Sequence, residues 1–81
     1  MNELLQHKYD ILASLYWVPC SLRELEKREF CSKLPRWYIA SVLANLERKG
    51  LIKEQKNGIY KVYKARARKI LNQYGYEIDD Y

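Results

Sequence analysis

Residues 35–63, PRWYIASVLANLERKGLIKEQKNGIYKVY, decide the fold, because the hydrophobic period changes inside them. From Pro35 to Lys49 the apolar positions Ile39, Val42, Leu43 and Leu46 recur at helical spacing and gather on one side of a helical projection. Trp37, Ala40, Ser41, Ala44, Asn45 and Arg48 fall on the other side. Pro35 suits the first helical position, where its fixed φ and missing donor do no harm, and Gly50 suits the C′ position that ends a helix. Beyond Gly50 the pattern alternates. Leu51 to Gln55 and Ile59 to Lys64 flank Lys56-Asn57-Gly58, and an Asn-Gly step between β-prone runs predicts a hairpin. On its returning strand Tyr60 and Val62 should point to the core and Lys61 to solvent or a ligand.

Outward from this stretch, Leu4, Leu5, Ile11, Leu12 and Leu15 form one stripe and predict a first helix over residues 3–17, stopped by Val18-Pro19. Ser21-Leu22-Arg23-Glu24 reads as a capping box that opens a short second helix to about Arg28, with Leu22 and Leu25 facing inward. Cys31 to Leu34 has no helical period and leads into the third helix as a turn. On the far side, Ala67, Ile70, Leu71 and Tyr74 share one face of a final helix from about Arg66 to Tyr74, ended by Gly75. The expected architecture is one domain over residues 1–75, mainly α with a small β-hairpin, in the order helix, helix, helix, hairpin, helix. Residues 76–81 remain as an acidic, aromatic tail free to fray.

A chain of 81 residues has room for one modest core. Its 48% hydrophobic and 31% charged residues fit a soluble globular protein rather than a disordered or membrane chain. No apolar run approaches a membrane span, and the N-terminus lacks a secretory pattern, so the expected address is the cytoplasm. Many tyrosines and a dense Lys, Arg and Glu content would suit a heat-adapted organism or its virus. The net charge of +5 is unevenly spread: residues 33–69 hold eleven basic and two acidic side chains, whereas residues 1–32 hold four and five, and residues 70–81 three acidic and none basic. A local excess of +9 is what a polyanion-binding surface carries, since neutralised phosphates release counterions. Cys20 and Cys31 lie at opposite ends of the second helix, which argues against a disulfide. With His7 they also fall short of a structural zinc set, and they read as small buried hydrophobes.

The segment Ile39-x-x-x-Leu43-x-x-Leu46-Glu47-x-x-Gly50-Leu51-Ile52 is similar to the one by which bacterial and archaeal regulators of the MarR and PadR kind close a recognition helix and enter a wing. Tyr60-Lys61-Val62-Tyr63, followed by Arg66 through Leu71, resembles their exit from the wing into a C-terminal helix. The resemblance covers roughly residues 3–74 and implies a winged helix-turn-helix fold in a transcriptional regulator. Two departures stand out: a longer turn before the third helix, and Arg66 where these families often have Gly.

The residues themselves argue for duplex DNA. A major groove about 12 Å wide admits a helix whose facing surface is slim. Ala40, Ser41 and Ala44 supply that slimness, and Arg36, Asn45 and Arg48 supply forked or paired donors for base edges or phosphates. Arg36 and Ser41 are expected at bases and Arg48 at the backbone. Trp37 either meets a thymine methyl or sugar, or plugs the first helix; Tyr38 reads as structural. In the hairpin, Lys53, Lys56, Asn57, Lys61 and Lys64 are expected on phosphates or in the minor groove. A homodimer through the first and last helices, with Tyr74, Tyr76 and Tyr81 in the contact, would place two third helices about 34 Å apart on an inverted repeat. No phosphate loop, metal cluster or nucleophile motif is present in the sequence, so neither catalysis nor a cofactor is expected. The competing expectations are a protein-interaction module that uses the same fold without DNA, and RNA binding with bases stacked on Trp37 and Tyr38.

Overall fold

Ser21 shows how local chemistry sets an element: its hydroxyl accepts the amide of Glu24 at 3.3 Å while its own amide donates to the Glu24 carboxylate at 3.5 Å. This completed capping box starts the second helix where the sequence placed it. The computed structural model of the chain describes residues 3–76, with side chains from residue 7 onward. It is mainly helical with one two-stranded antiparallel hairpin: α1 (Glu3–Trp17), α2 (Leu22–Glu26), a single 3₁₀ turn (Glu29–Cys31), α3 (Arg36–Arg48), β1 (Ile52–Glu54), β2 (Tyr60–Val62) and α4 (Lys64–Gln73).

In α1, Ile11, Leu12 and Leu15 are fully buried, joined by Tyr9 and Tyr16; the side chains of Leu4 and Leu5 lie outside the described residues. The helix has no basic residue in its last turn. Arg28, from beyond α2, takes that place by donating to the carbonyls of Ser14 at 3.1 Å and Val18 at 2.8 Å, and to the Ser14 hydroxyl. Helix α2 stops at Glu26, with Lys27 as its C-cap, and does not run to the expected Arg28. Leu25 is buried and Leu22 half-buried, and the Cys31–Leu34 turn begins where the 3₁₀ turn ends.

Pro35 stands just outside α3, as its N-cap, with an extended ψ of 149°; its carbonyl accepts the amides of Tyr38 and Ile39. The helix is therefore one residue shorter at each end than the expected 35–49. Ile39, Val42, Leu43 and Leu46 are buried. At the C-terminus Gly50 takes a φ of +76°, its amide donates to Glu47, and the amide of Leu51 donates back to Leu46, which satisfies two terminal carbonyls.

The strands are shorter than the alternating pattern suggested and pair in the register Ile52↔Val62, Lys53↔Lys61 and Glu54↔Tyr60. Their turn is not a two-residue Asn-Gly turn. Asn57 keeps a negative φ, Gly58 alone is left-handed at +84°, and the amide of Gly58 donates to the Gln55 carbonyl. Val62 is buried, Tyr60 half-buried and Lys61 exposed. The link between α1 and α2 lies alongside β2 through the bridge Ser21↔Ile59, and the amide of Tyr60 donates to the Cys20 carbonyl at 2.9 Å.

Helix α4 begins at Lys64, two residues before the expected Arg66, and buries Ala67 and Leu71. It ends at Gln73 with Tyr74 as C-cap, and Gly75 follows with a φ of +93° while the amide of Tyr76 donates to Leu71. Tyr76, assigned by the sequence to the tail, is half-buried and its hydroxyl donates to Asp10; residues 77–81 lie outside the described residues. Cys20 and Cys31 are both buried and free. They belong to one core cluster. Among the described residues, no helix is long and apolar enough to cross a membrane.

Candidate nucleic-acid interface

The four buried side chains of α3 leave a continuous outer stripe. Trp37, Ala40, Ala44 and Arg48 follow one another at intervals of three or four residues, Ser41 lies beside Ala40, and all five are exposed. At 1.5 Å per residue, the run from Ala40 to Ala44 presents about 6 Å of helix bearing nothing larger than a hydroxyl. Trp37 and Arg48 flank it.

Trp37 is 70% exposed and touches Tyr38 edge-on, with ring centroids 6.0 Å apart, so it does not plug α1. Tyr38 does the structural work: it is half-buried, and its hydroxyl lies 3.2 Å from Nδ1 of His7 on α1. Arg36 is exposed and bound through Nε to the Glu26 carboxylate at 3.2 Å. Asn45 departs from expectation. It is half-buried, and its Oδ1 is shut away from solvent with no partner among the described residues. An adenine edge takes both ends of an amide, so Asn45 in this rotamer has only one to offer.

The hairpin exposes Lys53, Lys56, Asn57 and Lys61. Lys53 and Lys61 are direct cross-strand partners, an arrangement that is unfavourable for like charges unless an anion lies between them. Asn57 has an internal role as well, because its Oδ1 accepts the amide of Ile59 at 3.1 Å and shapes the turn. Glu47 Oε2 accepts the amide of Glu54 at 3.0 Å and so ties the outer edge of β1 to the last turn of α3.

Part of the basic excess serves the fold. Lys64 lies over the Tyr16 ring at 5.5 Å, and Arg66 lies over Tyr63 and donates to the Gly50 carbonyl at 3.3 Å. This second bond gives Arg66 a place in the fold, joining the start of α4 to the end of α3. Lys8, pressed into the surface beside Lys49, has its pKa lowered to about 8, first by burial and then by the neighbouring ammonium. Burial pushes the Cys31 thiol up to about 11, so at neutral pH it is protonated. No group of three or more His, Cys, Asp or Glu side chains able to hold a metal ion occurs among the described residues.

Sequence reasoning missed the roles of Glu26 and Glu47 at this surface, and of Arg28 at the end of α1. Each acts through a long side chain that crosses from one element to another. Only Glu47 left a trace, as an acidic residue at the helix end that precedes the hairpin. The chain matches no family model, no curated protein and no solved structure. What this surface can bind therefore follows from its own geometry.

Proposed function

We propose that this protein is a winged helix-turn-helix protein that binds double-stranded DNA and acts as a sequence-selective transcriptional regulator. Helix α3 lies in the major groove and the hairpin rests on the backbone or in the minor groove beside it. One observation carries the proposal: the outer stripe of α3 is exposed and slim at its centre, with Arg36 at one end and Arg48 at the other. The connection order supports it, as does the pairing of the α1–α2 link with β2, which makes a third short partner for the hairpin.

Base contacts come from Arg36 and Ser41, with Ala40 and Ala44 against the groove floor and Trp37 against sugar or a thymine methyl. Arg48, Lys53, Lys56 and Lys61 neutralise phosphates. Asn45 and Asn57 are secondary, since one amide oxygen is buried and the other is engaged in the turn.

The active form is a homodimer in this proposal, and its contact is narrower than the sequence suggested. Tyr76 is half-buried and bonded to Asp10, whereas Tyr74 stacks on Tyr9 of the same chain, ring centroids 4.3 Å apart, and stays 53% exposed. At the other end of α1, Trp17 and Val18 are each 58% exposed and offer apolar surface. Light scattering at high concentration tests this part, and a monomer would remove it.

Selection from random duplex DNA tests the function. The proposal predicts an enriched motif with two-fold symmetry; an unenriched pool contradicts sequence selectivity. The exposed Trp37 favours one second reading, single-stranded RNA stacked on the ring, which predicts that unpaired oligonucleotides outcompete duplex.

A further inference from the structure

Arg36 and Glu26 stand at the meeting of α2 and α3, Glu26 as the last residue of one and Arg36 as the first of the other. Their contact is one-sided. The carboxylate meets Arg36 at Nε, 3.2 Å away, on the side of the guanidinium. As a stabilising device it is weak: the Arg36 side chain is 67% exposed, and a surface ion pair with a single contact contributes little. As a positioning device it is well made. Glu26, at 27% exposure, is the more confined partner and acts as a post, and a guanidinium met at Nε has its Nη1 and Nη2 donors left for another acceptor. These form a planar pair of donors, the complement of the O6 and N7 acceptors of guanine.

We propose that Glu26 is a specificity-determining positioning residue: by holding Arg36 through Nε it presents the outer guanidinium edge to a guanine and keeps Arg36 from swinging to a phosphate. This rests on the reading that α3 enters the major groove. It also gives a reason for an acidic side chain beside a cationic surface. The carboxylate repels the backbone of every duplex alike, so it lowers indiscriminate binding while it sharpens the choice at one base pair.

The test uses the whole chain and the duplex recovered by selection, with each base pair changed in turn and affinities read by fluorescence anisotropy. Arg36→Ala should erase discrimination at one G·C pair, a loss of roughly 5- to 150-fold given the worth of a bidentate base contact. Glu26→Ala should erase most of the discrimination at that same pair while binding unrelated duplex as tightly as the wild type or more so. Glu26→Gln, which keeps an acceptor for Nε, should retain more of it than Glu26→Ala, and the double variant should lose no more than Arg36→Ala. Circular dichroism checks that each variant is folded. Wild-type discrimination in Glu26→Ala at the pair that Arg36→Ala loses would overturn the proposal and leave DNA binding intact. So would an Arg36→Ala variant that loses discrimination at no pair. If the wild-type chain selects no duplex, the larger reading fails and this one falls with it.

Discussion

The Glu47 carboxylate accepts the backbone amide of Glu54 at 3.0 Å, so a side chain on α3 is bonded to the free edge of β1. Two acidic residues thus meet through an amide rather than through their charges. The bond joins the helix assigned to the groove with the hairpin assigned to the backbone, and it sets their relative position.

Glu47→Ala should therefore cost about 1 kcal/mol, the usual worth of one intramolecular hydrogen bond. It should also weaken duplex binding although Glu47 touches no DNA. Glu47→Gln keeps the acceptor and should retain most of both. Urea unfolding midpoints and duplex affinity, measured on the same samples, check this.

Gly50 and Gly58 both have positive φ, and they should respond differently to substitution. A Cβ on Gly50 would lie 2.9 Å from the Arg66 guanidinium, whereas one on Gly58 meets nothing within 4 Å. Arg66 can swing aside, but the backbone at residue 50 stays in a region unfavourable for alanine, and the bond from Arg66 to the Gly50 carbonyl is disturbed. Gly50→Ala should cost about 2 kcal/mol, and Gly58→Asn under about 1 kcal/mol because asparagine tolerates the left-handed region. Chemical denaturation of the two variants gives the comparison.

Arg28 satisfies the end of α1 from outside the helix. Arg28→Ala leaves those carbonyls to water and removes a charge-assisted pair of bonds, a loss of about 2 kcal/mol. For a domain of this size that lowers Tm by roughly 8–16 °C. Thermal unfolding followed by circular dichroism at 222 nm would detect it.

These contacts mark the boundary of what the sequence makes legible. Ile39, Val42, Leu43 and Leu46 announce α3 to within one residue at each end, because a buried stripe must repeat at the helical period. Ser21 and Glu24 announce α2, because a capping box closes within four residues. Arg28, Glu26 and Glu47 announce nothing comparable. Their partners are set by how elements pack, and no spacing along the chain encodes that. Asn45 is the same failure at atomic scale: its position on α3 was predictable, yet the direction of its amide depends on the neighbours that bury it. The stacking of Tyr74 on Tyr9 is likewise a contact that no spacing along the chain encodes, although Tyr74 stays 53% exposed.

Stability should rise and then fall through the alkaline range. Lys8 has its pKa depressed from 10.5 to about 8, by burial first and then by Lys49. Between those values the unfolded chain holds the proton more often, so stability increases with pH. Burial raises Cys31 from 9.0 to about 11 and, with Tyr74 beside it, Tyr9 from 10.0 to about 12; Tyr76, buried and bonded to Asp10, is raised as well. The folded chain keeps these protons after the unfolded chain has lost them, so stability decreases above pH 9 for the thiol and above pH 10 for the tyrosines. Urea midpoints should climb from pH 8 to 9 and drop steeply beyond pH 10. In Lys8→Met the climb should vanish and the drop remain.

Ala44 closes the slim stretch of α3 and is exposed. Ala44→Phe should leave stability within about 0.5 kcal/mol, as surface substitutions do, while weakening duplex binding at least about tenfold by crowding the groove. A variant that folds normally and binds at wild-type strength would show that this stripe does not enter the groove.

The most direct measurement is the salt dependence of binding to the selected duplex, for the wild type and for Lys56→Ala and Lys61→Ala. With about six phosphates neutralised, affinity should fall roughly 10³-fold between 50 and 200 mM salt, and each lysine removed should flatten the logarithmic slope by about one. A wild-type affinity that barely changes over this range, or slopes that ignore both lysines, would contradict the account.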